Sequence, residues 1–276
     1  MKVAVVNDIH VGKLMKHKGQ VRAASHLAEK RFPELLLRIM ERHQPDCVVN
    51  LGDLIRGESR EVDLARYAQS LLAFQKLKCP TIHLIGNHET KYMQVPDVEQ
   101  CWQEHSFDQV SYGTRVILGF RIVWLGMQTR KEDMKKHYLP ENQLQWLANL
   151  VNSTKEPILL FSHCAIDDHD ITGNFFYEEI DKGDRTPFFL ENQLEVRAVL
   201  QKSKLLRGVF QGHLHYFHMR VIDDLPYITC PAMVENICAP GIQDNFPEVY
   251  TILEVELQRM VLKCYSRDHC FAGIEL

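Results

Sequence analysis

The amino-acid sequence predicts an α/β protein in which two mixed β-sheets pack together and helices flank them. Three observations support this fold class. Short apolar runs alternate with helix-like stretches in the first third of the chain, a hairpin pattern surrounds Gly119, and the end of the chain is rich in strand-like runs. The alternating strand–helix order indicates parallel strands joined by right-handed crossovers. The hairpin adds antiparallel neighbours, so mixed sheets are expected.

The first three strands are predicted where apolar residues form short continuous runs. These runs are Val3–Val6, Cys47–Leu51 and Thr81–Ile85, and continuous runs are typical of strands that are buried on both faces. Apolar residues recur at helical spacing over residues 20–43 and 60–77, which predicts an amphipathic helix in each interval.

The second half of the chain combines a hairpin, a helix and further short strands. Arg115–Leu118 and Phe120–Leu125 flank Gly119 as the two strands of a hairpin would. The stretch Pro140–Val151 predicts a helix, because proline is favoured at the first turn. The remaining strand-like runs are Ile158–Phe161, Gly208–Phe210, Tyr227–Thr229, Val249–Val255 and Met260–Tyr265.

Length and composition predict one domain over residues 1–276. A chain of 276 residues can bury a full apolar core and hold a site on rigid strands. Residues 165–190 are polar and lack clear periodicity, and loops this long are usually functional in compact domains. We interpret them as a lid or a substrate-facing insert.

The charge balance and the absence of targeting patterns restrict the classes of partner that the protein is expected to bind. The net charge of −4 and the pI of about 6.4 argue against general nucleic-acid binding, which favours a basic surface. The sequence has no transmembrane-length apolar run and no secretory signal, and its eight cysteines form no close C-x-x-C pair. We therefore expect a cytoplasmic protein with reduced thiols, a small-molecule substrate and no membrane partner, and the sequence leaves a homo-oligomer open.

Five short polar motifs directly follow predicted strands. They are Asp8-Ile9-His10, Gly52-Asp53, Gly86-Asn87-His88-Glu89, Ser162-His163 and Gly212-His213-Leu214-His215. Ligands of α/β sheets gather at the carboxyl ends of the strands, so we expect these motifs to converge. In a regular strand, the alternate residues of D-x-H and H-x-H would share a face. Carboxylates, imidazoles and an amide oxygen suit divalent ions such as Mn²⁺, Fe²⁺ and Zn²⁺.

The order D-x-H, G-D, G-N-H-E, H, G-H-x-H resembles that of the calcineurin-like metallophosphoesterases. The resemblance runs from Asp8 to His215 and is closest to the bacterial cyclic-nucleotide phosphodiesterase-like (class III) branch. Pro140–Leu147 is similar to the helix before the fourth motif in that branch. Asn192, followed by Val196 and Leu200, is similar to its helix before the last motif. The resemblance implies a four-layer αββα sandwich.

The resemblance also implies a site with two metal ions. One ion would be held by Asp8, His10, Asp53 and His215. The second would be held by Asp53, Asn87, His163 and His213, so that Asp53 bridges the ions. His88 would bind no metal and would act on the phosphate as a general acid or charge stabiliser. Mn²⁺ and Fe²⁺ or Fe³⁺ are the first expectation for the metals, and Zn²⁺ and Ni²⁺ are alternatives.

The function implied is hydrolysis of a phosphodiester or nucleotide-type substrate by a metal-bridging hydroxide. A phosphomonoesterase or nucleotide pyrophosphatase is the alternative on the same site, and a non-catalytic metal-binding scaffold is the alternative of another class. Arg185 and Asn192 could contact the substrate together with Asn87 and His88. The other interpretation of Arg185 is a solvated loop charge, and that of Asn192 is a helix cap.

Arg56 departs from a pattern of related protein phosphatases. Their G-D-x-x-D-R-G run carries a second aspartate that orients the catalytic histidine, whereas this chain has Arg56 at that position in Gly52–Gly57. This weighs against a protein phosphatase and leaves the orienting partner of His88 open, with Glu89 adjacent. We interpret Cys164 as a small buried hydrophobic residue and His83 as a packed histidine of the core or of an interface.

Overall fold

A computed structural model describes residues 1–17, 19–172, 177, 187–235 and 247–276. The helices in these ranges are α1 (Ser25–His43), α2 (Arg60–Gln75), α3 (Val95–Glu104), α4 (Glu141–Ser153) and α5 (Gln193–Leu200), and Glu89–Lys91 forms a 3₁₀ turn. The strands are β1 (Lys2–Val6), β2 (Met15–His17), β3 (Gln20–Ala23), β4 (Cys47–Asn50), β5 (Thr81–His83), β6 (Gly113–Ile117), β7 (Phe120–Trp124), β8 (Gln128–Thr129), β9 (His137–Tyr138), β10 (Ile158–Ser162), β11 (Leu206–Gln211), β12 (His218–Ile222), β13 (Leu225–Thr229), β14 (Val249–Val255), β15 (Met260–Ser266) and β16 (His269–Glu275).

Two mixed six-stranded sheets organise the described residues. The first has the order β16-β15-β14-β1-β4-β5, and the second has the order β12-β13-β11-β10-β7-β6. In the first sheet β1, β4 and β5 are parallel, and β14 joins β1 antiparallel. In the second sheet β7, β10, β11 and β13 are parallel. The hairpins β2–β3 and β8–β9 form two small additional sheets.

Three apolar clusters define four layers. Val3 and Val5 of the first sheet share a cluster with Phe161 and Phe210 of the second, so this cluster lies between the sheets. The alternate residues of β1 pack with α1, α2 and α3 on the outer face of the first sheet. The second sheet packs its outer face against α4 and α5. Alternate side chains of a strand point to opposite faces, so the predicted αββα sandwich is confirmed.

The predicted elements agree with the structure except at the sheet edges, near residue 20, at helix α3 and at the hairpin β8–β9. The helix expected from residue 20 begins at Ser25, because Gln20–Ala23 pairs with β2 instead. The edge strands β12 and β16 were not predicted, since their side chains are mostly exposed or half-buried and leave no apolar run. Helix α3 was also not predicted, although Val98, Cys101 and Trp102 form its buried face.

Two further predictions concern whole-chain properties. Among the described residues, no helix is both long and apolar enough to cross a membrane. The cysteines in the described ranges form no disulfide with one another, and Cys238 lies outside those ranges.

Candidate metal centre

The five polar motifs converge at the carboxyl ends of β1, β4, β5, β10 and β11. Main-chain hydrogen bonds join the loops: the His10 amide donates to the Asp53 carbonyl at 2.9 Å. The His88 amide donates to Asp53 Oδ1 at 2.8 Å, and the His213 amide donates to Asp8 Oδ2 at 3.0 Å. Carboxylates of two motifs therefore orient the loops of two others.

The backbone of the motifs is not the regular strand that the sequence predicted. Asp8, His10, Asp53, His213 and His215 have φ values of 48°, 49°, 51°, 68° and 62°, all in the left-handed region. This conformation costs a residue with a side chain about 1–2 kcal/mol. Such strain persists only where the surroundings over-determine it, and it concentrates at functional sites.

The first donor group combines Asp8, His10, Asp53 and His215, whose ligand atoms all lie within 4.8 Å of one another. The Nε2 atoms of His10 and His215 are 3.1 Å apart. His215 Nε2 lies 3.1 Å from Asp8 Oδ1, and His10 Nε2 lies 3.7 Å from Asp53 Oδ2. Two facing imidazole nitrogens between two buried carboxylates form an arrangement that a divalent cation fits.

The second donor group combines Asp53, His163 and His213, again within 4.8 Å. Asn87 belongs to it as well, because its Oδ1 lies 3.1 Å from His163 Nε2. His163 Nε2 is 3.5 Å from Asp53 Oδ1. Asp53 therefore turns one carboxylate oxygen to each group. The structure brings together all seven residues predicted as ligands.

Hydrogen bonds on the far side of three imidazoles set which nitrogen faces the centre. His163 Nδ1 donates to the Leu51 carbonyl at 2.9 Å, and His213 Nε2 donates to the Pro187 carbonyl at 2.7 Å. His215 Nδ1 is hydrogen-bonded to Glu235. Partners of this kind fix the tautomer of a metal-binding histidine and its orientation. In His163 and His213, the opposite nitrogens are left with lone pairs directed at the second donor group.

Burial and neighbouring charges shift the pKa values of the donor residues in different directions. Burial lowers the pKa of His10 to about 4 and lowers the pKa of His163 and His213 as well, so these rings are neutral near pH 7, the form that binds metals. Burial alone would lower the pKa of His215 too, but the Glu235 and Asp8 carboxylates raise it to about 10. Burial and the charge of Asp8 raise the pKa of Asp53.

Glu235 is a site residue that the sequence did not reveal. Its side chain is buried, and its Oε1 lies 3.1 Å from Arg22 Nε while the other oxygen bonds His215. Burial opposes ionisation, but the His215 and Arg22 charges keep the pKa of Glu235 below its usual value. No motif contains this residue, and only the fold brings it beneath His215.

Glu89 organises the Asp53 loop instead of orienting the His88 ring. Its buried carboxylate accepts hydrogen bonds from the backbone amides of Asp53 at 3.0 Å, Ile55 at 3.2 Å and Gly86 at 2.7 Å. Burial, followed by the charge of Asp53, raises its pKa to about 8. Gly86 is required here, because a Cβ at this position would collide with Asp53 Oδ1.

His88 lies at the open side of the donor groups. Its side chain is 25% exposed, whereas that of Asp53 is 1% exposed. Its Nε2 is 3.9 Å from Asp53 Oδ2, and its ring meets the His10 ring edge-on with centroids 4.7 Å apart. Burial, then the charges of His10 and Arg56, lower its pKa well below the usual value. His88 is therefore a neutral imidazole near pH 7.

Asn192 and Arg185, two of the residues predicted to contact substrate, differ in what the structure describes of them. Asn192 Oδ1 accepts from the Leu139 amide at 3.0 Å, and its Nδ2 donates to the Leu139 carbonyl at 2.9 Å. The side chain thus ties α5 to the β9–α4 connection, and it makes no cap hydrogen bond to the helix. Arg185 lies outside the described residues.

The surroundings of the second donor group include His137, a histidine that no sequence motif indicated. His137 is buried, its Nδ1 is 3.0 Å from Thr129 Oγ1, and it forms a further cluster of donor atoms with Cys164 and His213. Cys164 Sγ donates to Met127 Sδ at 3.1 Å, and burial raises its pKa well above the usual range. The thiol therefore stays protonated, as expected of a small buried hydrophobic residue.

The chain is similar to known phosphoesterases in sequence pattern and in structure. The family model for calcineurin-like phosphoesterases matches residues 1–217. A dimetal phosphatase from Danio rerio is similar in structure, with a TM-score of 0.75, 16% identity and coverage of 99% of this chain and 98% of that chain.

Two proteins from Thermus thermophilus are also similar in structure. For TT1561 the TM-score is 0.55 at 10% identity, and 96% of this chain and 98% of that chain are covered. For a 5′-nucleotidase precursor the TM-score is 0.50 at 12% identity, and the match covers 100% of this chain and 53% of that chain. No curated protein matches the chain in sequence. The structural likenesses show the fold, and the family model shows that the chain belongs to the calcineurin-like phosphoesterase family.

Proposed function

We propose that the chain is a dinuclear metal-dependent phosphoesterase that acts on a phosphodiester or nucleotide-type substrate. The observation that carries the proposal is the position of Asp53 between two donor groups, with one carboxylate oxygen turned to each. A carboxylate in this position would serve both metal sites. The family supports hydrolysis of a phosphoester.

The chain's own residues would hold the two metal ions as the resemblance implies. Asp8, His10 and His215 would complete one site with Asp53, and Asn87, His163 and His213 would complete the other. When bound, two divalent ions supply Lewis-acid polarisation of phosphoryl oxygens and lower the pKa of bound water to roughly 7. Oxygen and imidazole donors without a thiolate fit Mn²⁺ and Fe²⁺ or Fe³⁺, with Zn²⁺ and Ni²⁺ as alternatives.

His88 would stabilise charge on the leaving oxygen by donating a hydrogen bond. Its partial exposure and its position beside Asp53 put it within reach of a group bound at the centre. Because it is neutral near pH 7, it would donate a neutral N–H rather than carry a formal charge. Removal of one charge-stabilising hydrogen-bond donor typically costs about 10²–10³-fold in kcat.

Residues 1–276 would form a single domain. Within it, the segment 165–190 would cover the substrate site. Its described part packs as an apolar cluster that includes Ala165, Ile171, Tyr177 and Phe189. Its Pro187 carbonyl accepts the hydrogen bond from His213, so the end of the segment touches a proposed ligand. A segment in contact with both the core and a ligand is well placed to shape the pocket.

The test is a substrate comparison with the Mn²⁺-loaded protein. Bis-p-nitrophenyl phosphate, p-nitrophenyl phosphate, cyclic AMP and ADP-ribose distinguish a phosphodiesterase from a phosphomonoesterase and a nucleotide pyrophosphatase. We expect turnover that chelation abolishes and Mn²⁺ restores. Bound metal without turnover of any phosphoester would instead support the non-catalytic scaffold, and a chain that binds no divalent metal would refute the proposal.

A further inference from the structure

We propose that Asp167, His169 and His218 form a third metal site, which takes one Zn²⁺ ion. The three residues share no member with the two donor groups around Asp53. The inference goes beyond the proposed function and does not depend on it, because the site would hold its ion whether or not the chain hydrolyses a phosphoester.

The three donors already lie together in the structure. One ligand atom of each residue lies within 4.8 Å of those of the other two. Asp167 and His169 are buried and His218 is half-buried. The two imidazole rings stack with their centroids 3.9 Å apart. Two imidazoles and one carboxylate are a ligand set of protein sites that hold a divalent ion and keep a further position open for water.

The spacing of Asp167 and His169 resembles that of two neighbouring zinc ligands. His169 Nδ1 lies 2.9 Å from Asp167 Oδ2. Zinc binds imidazole nitrogen and carboxylate oxygen at about 2.0–2.2 Å, so adjacent ligand atoms around a tetrahedral ion lie about 3.3 Å apart. An ion therefore fits between these two atoms after a small outward shift, and the single proton of the neutral ring then resides on Nε2.

Both of these ligands have outer partners that suit metal binding. His169 Nε2 lies 2.5 Å from Tyr216 Oη, so an N–H at Nε2 would donate to the phenol oxygen and leave the Nδ1 lone pair for the ion. Gln211 Nε2 donates to Asp167 Oδ1 at 2.7 Å, while Gln211 Oε1 accepts from the Ile166 amide at 2.9 Å. Such partners orient metal ligands and fix the tautomer of a histidine.

His218 supplies the third donor and an independent reason for a ligand. Its Nε2 is shielded from water and has no hydrogen-bond partner within the described part of the chain. A buried polar atom without a partner costs free energy, and coordination of this nitrogen would relieve that cost. Burial, followed by the charge of His169, lowers the pKa of His218, so the ring is neutral near pH 7, which is the form that binds metals.

Zinc suits this donor set better than manganese does. Sites with imidazole nitrogens bind Zn²⁺ much more tightly than Mn²⁺, which stands at the weak end of the divalent series and favours oxygen ligands. Mn²⁺ at this site would therefore be loosely held. Asp167 and His169 lie near the beginning of the segment 165–190, whereas His218 begins β12. A zinc ion would thus tie that segment to the edge of the second sheet.

The test counts metal ions in the site variants His218→Gln and Asp167→Asn, with His26→Gln on the exposed side of α1 as the matched control. Mn²⁺-loaded protein is equilibrated with Zn²⁺, freed of loosely bound ions and analysed by mass spectrometry of the metals. Manganese and zinc are added together, because zinc also exchanges into the donor groups around Asp53. We expect the wild type and the control to hold one more ion per chain than either site variant.

Equal totals in the wild type and the site variants would overturn the inference. His218 is half-buried on an edge strand, so His218→Gln decides the matter if Asp167→Asn does not fold. The result is a difference between proteins, and it therefore stands apart from any failure of the proposed hydrolysis.

The affinity for zinc tests the coordination by His169. Tyr216→Phe removes the outer partner of this ring, and loss of such a partner typically costs about 10–100-fold in metal affinity. Chelator competition on the Mn²⁺-loaded protein should show this loss for the ion that His218→Gln lacks. An unchanged affinity of that ion in Tyr216→Phe would contradict the assigned coordination, and with it the site.

Discussion

Replacement of Glu235 by alanine tests whether a residue outside the motifs controls the metal centre. The carboxylate holds His215 Nδ1 on one side and Arg22 on the other, and it is buried. In Glu235→Ala the His215 ring loses a partner that both orients the ring and raises the basicity of its nitrogen. We therefore expect weaker metal binding although no ligand has been removed.

The expected loss of metal affinity follows from the hydrogen bond between Glu235 and His215. Loss of an outer partner of a metal-binding histidine typically costs about 10–100-fold in metal affinity. The Arg22 side chain, 10% exposed, also loses its ion pair with Glu235. Hydrogen bonds to charged groups contribute about 1.5–3 kcal/mol, so the free energy of unfolding should fall by a similar amount.

Calorimetric titration of Mn²⁺ into the metal-free proteins measures the first effect, and denaturant unfolding measures the second. Glu235→Gln keeps an acceptor oxygen for His215 and should lose less affinity than Glu235→Ala. Glu34→Gln, on the exposed face of α1, is the matched control and should behave as the wild type. Wild-type Mn²⁺ affinity in Glu235→Ala would refute the reasoning.

Three other substitutions test the site and its supports. His88→Asn should retain both metals and lose about 10²–10³-fold in kcat, which metal analysis and steady-state kinetics check; an empty centre would contradict the assigned role. His83 lies in the core against Phe74 and Phe107 with a pKa lowered by burial to about 3, and protonation therefore favours the unfolded chain as pH falls below 6.5. Wild type should lose about 2 kcal/mol of stability relative to His83→Phe between pH 7 and pH 5, and parallel stability curves would exclude this. Asn192→Ala should lower the free energy of unfolding by about 1–3 kcal/mol at unchanged KM, whereas a raised KM would support the predicted substrate contact.

The central strands and the convergence of the polar motifs could be predicted from the sequence because both leave local patterns. β1 and β4 are buried on both faces, so they appear as continuous apolar runs. Asp8, Asp53 and His213 follow such runs within a few residues, so the carboxyl-end rule located them. The packed core position of His83 is also confirmed, since its ring lies between aromatic side chains.

What could not be predicted depends on contacts between distant segments. Glu235 is 20 residues from His215 in sequence, and no periodic pattern connects them. The left-handed backbone of Asp8 and His10 depends on pairing with the Asp53 loop, so the regular-strand geometry expected for D-x-H is wrong.

The number of metal ions bound per chain tests most directly whether the Asp53 carboxylate serves both donor groups. The purified chain would be loaded with Mn²⁺, freed of loosely bound ions and analysed by mass spectrometry of the metal, with Asp53→Asn measured in parallel and Glu34→Gln as the control. We predict two ions per chain in the wild type and the control, and fewer than two in Asp53→Asn, because one carboxylate serves both sites. A wild-type chain with one ion or none, or an Asp53→Asn variant that keeps two, would contradict the account.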